Sequence, residues 1–181
     1  MSEFQRPPKI DVKQVGLASQ QLAGHDLLLN YERLMAETNG QGAQNGLDWS
    51  VRGDLQPDQA GQPQAWLHLS VRVNLPLTCQ RCLGPVDVPL QIERSFRFVE
   101  TEAQAELDDD ASIEDVLVLS HDFDLAALIE DEVLMDLPVV PRHEFCPLPV
   151  KLTAVDDDFE EAQPKPSPFA VLAGLKVPGK Q

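Results

Sequence analysis

The sequence WLHLSVRVNLPLTCQRCLGPVDVPLQIERSFRF, residues 66–98, decides the fold of this 181-residue chain. Its first part alternates apolar and polar residues, which is typical of a β-strand with one buried and one solvent-facing side. The alternation resumes at Val86, after CQRCLGP, and continues to Phe98. Two such strands joined by a short turn predict a long antiparallel hairpin. Pro76 and Pro89 fall on its polar positions and donate no ladder hydrogen bond, so we expect both at an edge or a bulge.

Shorter elements flank the hairpin. Apolar spacing predicts an amphipathic helix over residues 11–22, and helix and strand patterns compete over residues 27–35. Residues 47–55 and 116–119 are predicted short strands. A second helix is expected to begin at Asp122 or Asp124 and to end before Pro138. Its inward-facing residues are predicted to be Leu125, Leu128, Ile129 and Val133.

These elements predict an α+β fold, in which a small antiparallel β-sheet built on the hairpin packs with one or two helices. Residues 1–155 are the predicted core domain, with an acidic mobile surface loop over about residues 100–115. Residues 156–181 are predicted to be an acidic spacer followed by a short apolar C-terminal tail that extends from the core.

Negative charge is concentrated in the second half of the chain. The formal net charge is −16; residues 1–90 carry 7 Lys and Arg against 9 Asp and Glu, whereas residues 91–181 carry 7 against 21. Such a surface repels phosphate, which argues against direct binding of nucleic acid along this half. Two interpretations remain: a solubilising surface, or a binding surface for a basic protein partner.

The sequence also indicates where the protein resides. No apolar run approaches the length of a membrane span, and the N-terminal residues lack the pattern of a secretory signal. Three cysteines do not suggest a secreted disulfide scaffold. We expect a soluble, cytoplasmic protein with reduced thiols.

Cys79 and Cys82 stand three positions apart at the predicted hairpin turn. A redox role is disfavoured, because a strand follows them rather than a helix whose N-terminus would stabilise a thiolate. A metal role fits better, because His143 and Cys146 repeat the same spacing and would complete a structural zinc site of four ligands. In the alternative, the first two cysteines simply pack in a turn and the other pair is unligated.

Catalytic patterns find no support in the sequence. HEFC, residues 143–146, departs from the HExxH pattern of zinc proteases. The carboxylates Glu130, Asp131 and Glu132 are interpreted as solvated residues of the second helix.

The C-terminal tail, SPFAVLAGLK over residues 167–176, resembles two turns of capped helix. A helix this short is unstable alone in water, so it must dock on its own domain or on a partner. Nearby lysines give the tail a local positive charge, so the tail is the one segment where contact with RNA remains an alternative.

Three stretches together resemble the bacterial YceD family of large ribosomal RNA subunit accumulation proteins: LTCQRCLGPVDVPL, LIEDEVLMDLPVVPRHEFC and PKPSPFAVLAGLK. The residues that match the family pattern are Cys79, Arg81, Cys82, Glu130, Asp131, Glu132, Leu137, Pro138, Pro141, Pro168, Phe169, Ala170, Leu172 and Lys176. Ser167 stands where an Asn is usual. Many members have more cysteines after the helix than Cys146.

The resemblance implies a small cytoplasmic α+β protein needed for synthesis, processing or stability of large-subunit (23S) rRNA. It does not imply an enzyme, and we expect a non-enzymatic protein. Because the chain is so acidic, we expect it to act through basic protein partners in large-subunit assembly. The residues expected to contact partners are Arg81, Pro168, Phe169, Leu172, Leu175 and Lys176. One alternative is a zinc-dependent enzyme for rRNA processing or another hydrolysis. A further alternative is an acidic scaffold protein with no link to ribosomes.

Overall fold

The computed structural model describes residues 5–58, 61–109 and 114–147. Within these ranges the strands are β1 (Lys9–Ile10), β2 (Gln21–Leu27), β3 (Gly46–Pro57), β4 (Pro63–Thr78), β5 (Pro85–Val99), β6 (Asp115–Val118) and β7 (Phe123–Asp124). The helices are α1 (Val12–Leu17), α2 (Glu32–Glu37), α3 (Glu102–Asp109) and α4 (Leu125–Met135), and a 3₁₀ turn spans Leu28–Asn30. No helix in this part of the chain is long and apolar enough to span a membrane.

The main sheet has the strand order β2-β3-β4-β5-β6, which confirms the α+β class and the long hairpin. The first four strands pair antiparallel with their neighbours, and β4 and β5 stay paired from Trp66↔Arg97 to Thr78↔Pro85. The last strand, β6, runs parallel to β5, which the sequence pattern did not indicate. A second small sheet joins β1 to β7 at the start of α4.

The two hairpin prolines lie where the ladder has an open side. β3 pairs with β4 only as far as Val73, so Pro76 lies beyond the reach of β3. β6 pairs with β5 only from Phe96 onward, so Pro89 also lies on an edge segment. Neither proline lies opposite a third strand that would need its backbone N–H as a donor, as expected.

One face of the sheet forms the core. The odd-numbered residues of β4 from Leu67 to Leu77 are buried, and α1 and α4 pack over this face. The predicted inward residues of α4 are also buried. A smaller cluster of Val99, Ala105 and Val116 attaches α3 to β5 and β6. The buried apolar area provides most of the stabilising free energy of such a domain.

The predicted helix over residues 11–22 is wrong beyond Leu17. Ser19 adopts a left-handed backbone with φ 46°, and the chain then turns into β2, where Leu22 pairs with Val51. Strand pairing with β3 supplies backbone hydrogen bonds that an isolated helix end weakened by Gly16 lacks.

The predicted acidic surface loop is wrong for Glu102–Asp109, which forms α3. The Thr101 Oγ1 accepts a hydrogen bond from the Gln104 N–H at 3.3 Å and so caps the helix. Ala105 then buries against the cluster on β5 and β6. The acidic composition of this segment suggested a loop, although the segment also contains strong helix formers.

Gly53 allows α1 to pack directly on β3. A Cβ at this position would lie 2.5 Å from the carbonyl oxygen of Val15, a backbone atom that cannot move without displacing α1.

We therefore expect Gly53→Ala to lower the free energy of unfolding by about 1–3 kcal/mol, as overpacking does. Urea unfolding followed by circular dichroism measures this. Ser50→Ala, on the opposite face of the same strand, is the control and should change stability by less than about 0.5 kcal/mol. Equal stability of the two variants would show that α1 adapts to the added methyl group.

Candidate metal centre and adjoining surface

The first half of the candidate site is the tight turn that joins β4 to β5. The Cys79 N–H donates to the Gly84 carbonyl oxygen at 2.8 Å, and the Leu83 N–H donates to the Cys79 carbonyl oxygen at 2.9 Å. These bonds hold Cys79 and Cys82 on one side of the turn, where the first is buried and the second half-buried.

The second half comes from the segment after α4. The helix ends at Met135, and the prolines that follow keep the chain from continuing as a helix. The Pro141 carbonyl oxygen accepts a hydrogen bond from the Gln80 N–H at 2.9 Å, which places this segment beside the hairpin turn. Two and five residues later come His143 and Cys146.

The structure brings all four predicted metal ligands together. Their ligand atoms lie within 4.8 Å of one another. The Sγ atoms of Cys79 and Cys146 are 4.0 Å apart, and the Cys82 Sγ lies 3.5 Å from the His143 Nδ1. These four residues, which come from two segments more than 60 positions apart, could hold one metal ion.

The Cys79 thiol has a lowered pKa, which favours its thiolate form. Burial would raise the pKa of its thiol, but hydrogen bonds from the backbone N–H groups of Cys82, His143 and Arg81 outweigh burial and lower the pKa to about 5. Burial and the two neighbouring sulfur atoms raise the pKa of Cys146 to about 11. Cys79 therefore ionises more readily than Cys146 before a metal binds.

Leu83 gives the cysteine turn a strained backbone. It lies in the left-handed region, with φ 60°, although it is not a glycine. This backbone costs a non-glycine residue about 1–2 kcal/mol. The Leu83 side chain is also 76% exposed, so burial in the described fold does not offset that cost.

The carboxylates of α4 are not all solvated as predicted. Glu130 is only 13% exposed and accepts hydrogen bonds from the backbone N–H groups of Arg33 and Leu34, at 2.8 and 3.3 Å. These groups lie in the first turn of α2, which has no side-chain cap of its own. Glu130 therefore caps α2 from a neighbouring helix, and its second oxygen binds the Arg33 guanidinium at 3.0 Å.

Glu132 is also buried, which contradicts the same prediction. Burial raises the pKa of its carboxyl, while the Arg94 guanidinium 3.4 Å away acts in the opposite direction. Asp131 is half-exposed and pairs with Arg33. All three carboxylates thus have structural partners.

The predicted partner-contacting residues are only in part within the described chain. Arg81 is exposed at the hairpin turn, beside the candidate metal centre. The others belong to the C-terminal tail, which lies outside the described residues: Pro168, Phe169, Leu172, Leu175 and Lys176. The structure also has a group of exposed apolar side chains around the cysteines that the sequence did not predict. Isolated apolar residues between prolines show no periodicity by which such a group could be recognised.

The fold and the cluster define a small α+β protein with a candidate metal centre of three cysteines and one histidine at the end of a hairpin. The family model described as "Large ribosomal RNA subunit accumulation protein YceD" matches residues 67–176. The chain belongs to this family, whose name indicates a role in the accumulation of large-subunit ribosomal RNA.

A curated relative carries the same description. The large ribosomal RNA subunit accumulation protein YceD of Haemophilus influenzae is 36% identical over 110 residues, which are 59% of this chain and 62% of the relative. The match thus spans less than two thirds of that protein's length. No solved structure matches the chain.

The capping role of Glu130 can be measured. Glu130→Ala removes the acceptor of two α2 N–H groups and a partner of Arg33, so we expect the free energy of unfolding to fall by about 1–2 kcal/mol. Asp131→Ala, which removes only a half-exposed ion pair, should cost less than about 1 kcal/mol. Thermal and urea unfolding of both variants make the comparison, and an equal loss in the two would contradict the cap.

Proposed function

We propose that this protein is a non-enzymatic ribosome-biogenesis factor of the cytoplasm, needed for synthesis, processing or stability of large-subunit (23S) rRNA. The family match over residues 67–176 carries this proposal. It covers the hairpin, the candidate metal centre and α4, which are the elements that build the described fold. The Haemophilus relative bears the corresponding name.

Protein partners fit the charge of the molecule better than RNA does. Five of the ten Lys and Arg side chains in the described residues form ion pairs with carboxylates: Lys9 with Asp122, Lys13 with Glu100, Arg33 with Glu130 and Asp131, Arg94 with Glu132, and Arg97 with Asp108. The excess of acidic groups leaves a negative field that attracts basic proteins and repels phosphate. We propose that the partners are basic proteins of large-subunit assembly.

We further propose that Cys79, Cys82, His143 and Cys146 bind one structural zinc ion. Zinc bound tetrahedrally at its usual bond lengths gives a sulfur–sulfur edge of about 3.8 Å and a sulfur–nitrogen edge of about 3.6 Å. The corresponding distances in the site, 4.0 and 3.5 Å, fit these edges. Three thiols and an imidazole are also ligands that zinc prefers.

A structural role for the metal is favoured over hydrolysis. A catalytic zinc keeps a position open for water or substrate, whereas four protein ligands fill the tetrahedron. The nearby carboxylates of α4 cap α2 or bind arginines. The metal would join the hairpin to the segment after α4 and hold both in one arrangement.

Zinc binding is tested by elemental analysis. Protein purified without a histidine tag, under reducing conditions, should contain one zinc per chain by plasma mass spectrometry. Cys79→Ser should lose the zinc and lower the melting temperature, because the segment after α4 is then released. His121→Gln removes an exposed histidine that lies outside the cluster and should keep the metal. A wild-type protein without zinc would overturn the zinc assignment.

The proposed function is tested in cells. Depletion of the protein should selectively lower the large ribosomal RNA relative to the small one, measured by electrophoresis and sequencing of total RNA. Wild-type protein supplied from a plasmid is the control and should restore the ratio. An unchanged ratio would contradict the proposed function, and turnover of an rRNA precursor by the purified protein would contradict its non-enzymatic nature.

A further inference from the structure

Four exposed apolar side chains surround the candidate metal centre, and we call them the knuckle surface. Leu83, Val139, Val140 and Phe145 are 76%, 98%, 56% and 83% exposed. Leu83 directly follows Cys82, and Phe145 directly precedes Cys146. Because the ligand atoms of those cysteines lie within 4.8 Å, the two side chains project from neighbouring points.

The valines belong to the same surface. They precede Pro141, whose carbonyl oxygen binds the Gln80 N–H in the cysteine turn. Val139 lines a cavity of about 440 Å³. The other lining residues are apolar (Ala36, Leu77, Leu137, Pro138 and Pro141) or polar (Glu37, Asn39, Thr78 and Gln80). Exposed apolar side chains beside a cavity are typical of a protein-binding site.

Leu83 provides an independent argument for binding. A leucine in the left-handed region strains the backbone, and glycine would adopt the same φ of 60° without strain. The fold gains no burial from this side chain, which is exposed. The turn requires this backbone conformation but not a leucine in it, and backbone strain of this kind clusters at functional positions. The exposed leucine side chain is therefore expected to contact another molecule.

The charge around the surface indicates which kind of molecule binds. In the two described segments that carry the ligands, residues 77–90 and 136–147, Arg81 and Arg142 are the Lys or Arg residues, and Asp87, Asp136 and Glu144 outnumber them. A divalent ion with three thiolates would add a net charge of −1. The surface therefore offers no positive field for phosphate, while the net charge of −16 attracts a basic protein.

We propose that the knuckle surface docks an apolar segment of a basic protein. The aliphatic side chains make the central contact, and the acidic remainder of the molecule steers the basic partner toward it. This inference rests on the proposed function, because it assigns the binding surface for the assembly partner. It places that surface in the described core, at the end of the hairpin.

The test uses the full-length, metal-loaded protein and a defined probe: the RNA-free protein fraction extracted from purified large ribosomal subunits. Immobilised wild-type protein should retain one basic protein in stoichiometric amount, identified by mass spectrometry. The double variant Leu83→Gly/Phe145→Ala should bind that protein at least about tenfold more weakly, as expected for the loss of central interface residues. Leu107→Ala, on α3, is the control and should bind normally because Leu107 is equally exposed, at 78%, but far along the chain from the cysteines.

Folding of the variant is checked separately. Leu83→Gly removes the backbone strain, so the single variant should melt at the same temperature as wild type or higher while its binding is weakened. Loss of binding with unchanged or raised stability supports docking.

Retention of no basic protein, or equal retention by wild type and double variant, would overturn the proposal. So would binding of naked large-subunit rRNA that the double variant loses, because the occupant would then be RNA.

Complementation separates this inference from the proposed function. In depleted cells, wild type and Leu107→Ala should restore the ratio of large to small ribosomal RNA, and the double variant should not. Full restoration by the double variant would overturn the docking surface while the proposed function stands. An rRNA ratio that never responds to depletion would overturn the proposed function itself, whatever the purified proteins bind.

Discussion

The antiparallel ladder between β4 and β5 is the constraint on which the other elements depend. It runs without interruption from Trp66↔Arg97 to Thr78↔Pro85. Its buried face receives α1 and α4, its neighbours β3 and β6 extend the sheet on either side, and its closed end carries Cys79 and Cys82. Because side chains alternate along a strand, a shift of one residue would expose the core and misplace both cysteines.

The hairpin becomes a domain through contacts between segments that are distant in the chain. Glu130 on α4 caps α2, and Gln80 in the hairpin turn binds the carbonyl oxygen of Pro141. Each contact fixes a short element that is unstable alone. A metal ion shared by the two cysteine-containing segments would strengthen the second contact most, because it would close a loop of more than 60 residues.

The candidate metal centre and the acidic surface lie in different regions and could make different contributions to binding a partner. α3, with its acidic residues, packs on the end of β5 that lies opposite the cysteine turn. Long-range attraction of a basic partner and short-range apolar contact can therefore come from different regions of one small protein. Under the proposed function, the metal would maintain the shape of a binding surface, and the protein would influence ribosomal RNA without a catalytic residue of its own.

The sequence alone determined the α+β class, the hairpin, the inward residues of α4 and the four residues of the candidate metal centre. Alternating hydrophobicity and repeated ligand spacing are local properties, so they can be read directly along the chain. Only the tertiary structure decided that residues 102–109 form a helix, that β6 runs parallel to β5, and that Glu130 caps α2. It also gave Leu83 its left-handed backbone. These features depend on contacts between segments that folding brings together. The sequence around a carboxylate does not show whether it is solvated or buried, and the sequence around a leucine does not show whether its backbone is strained.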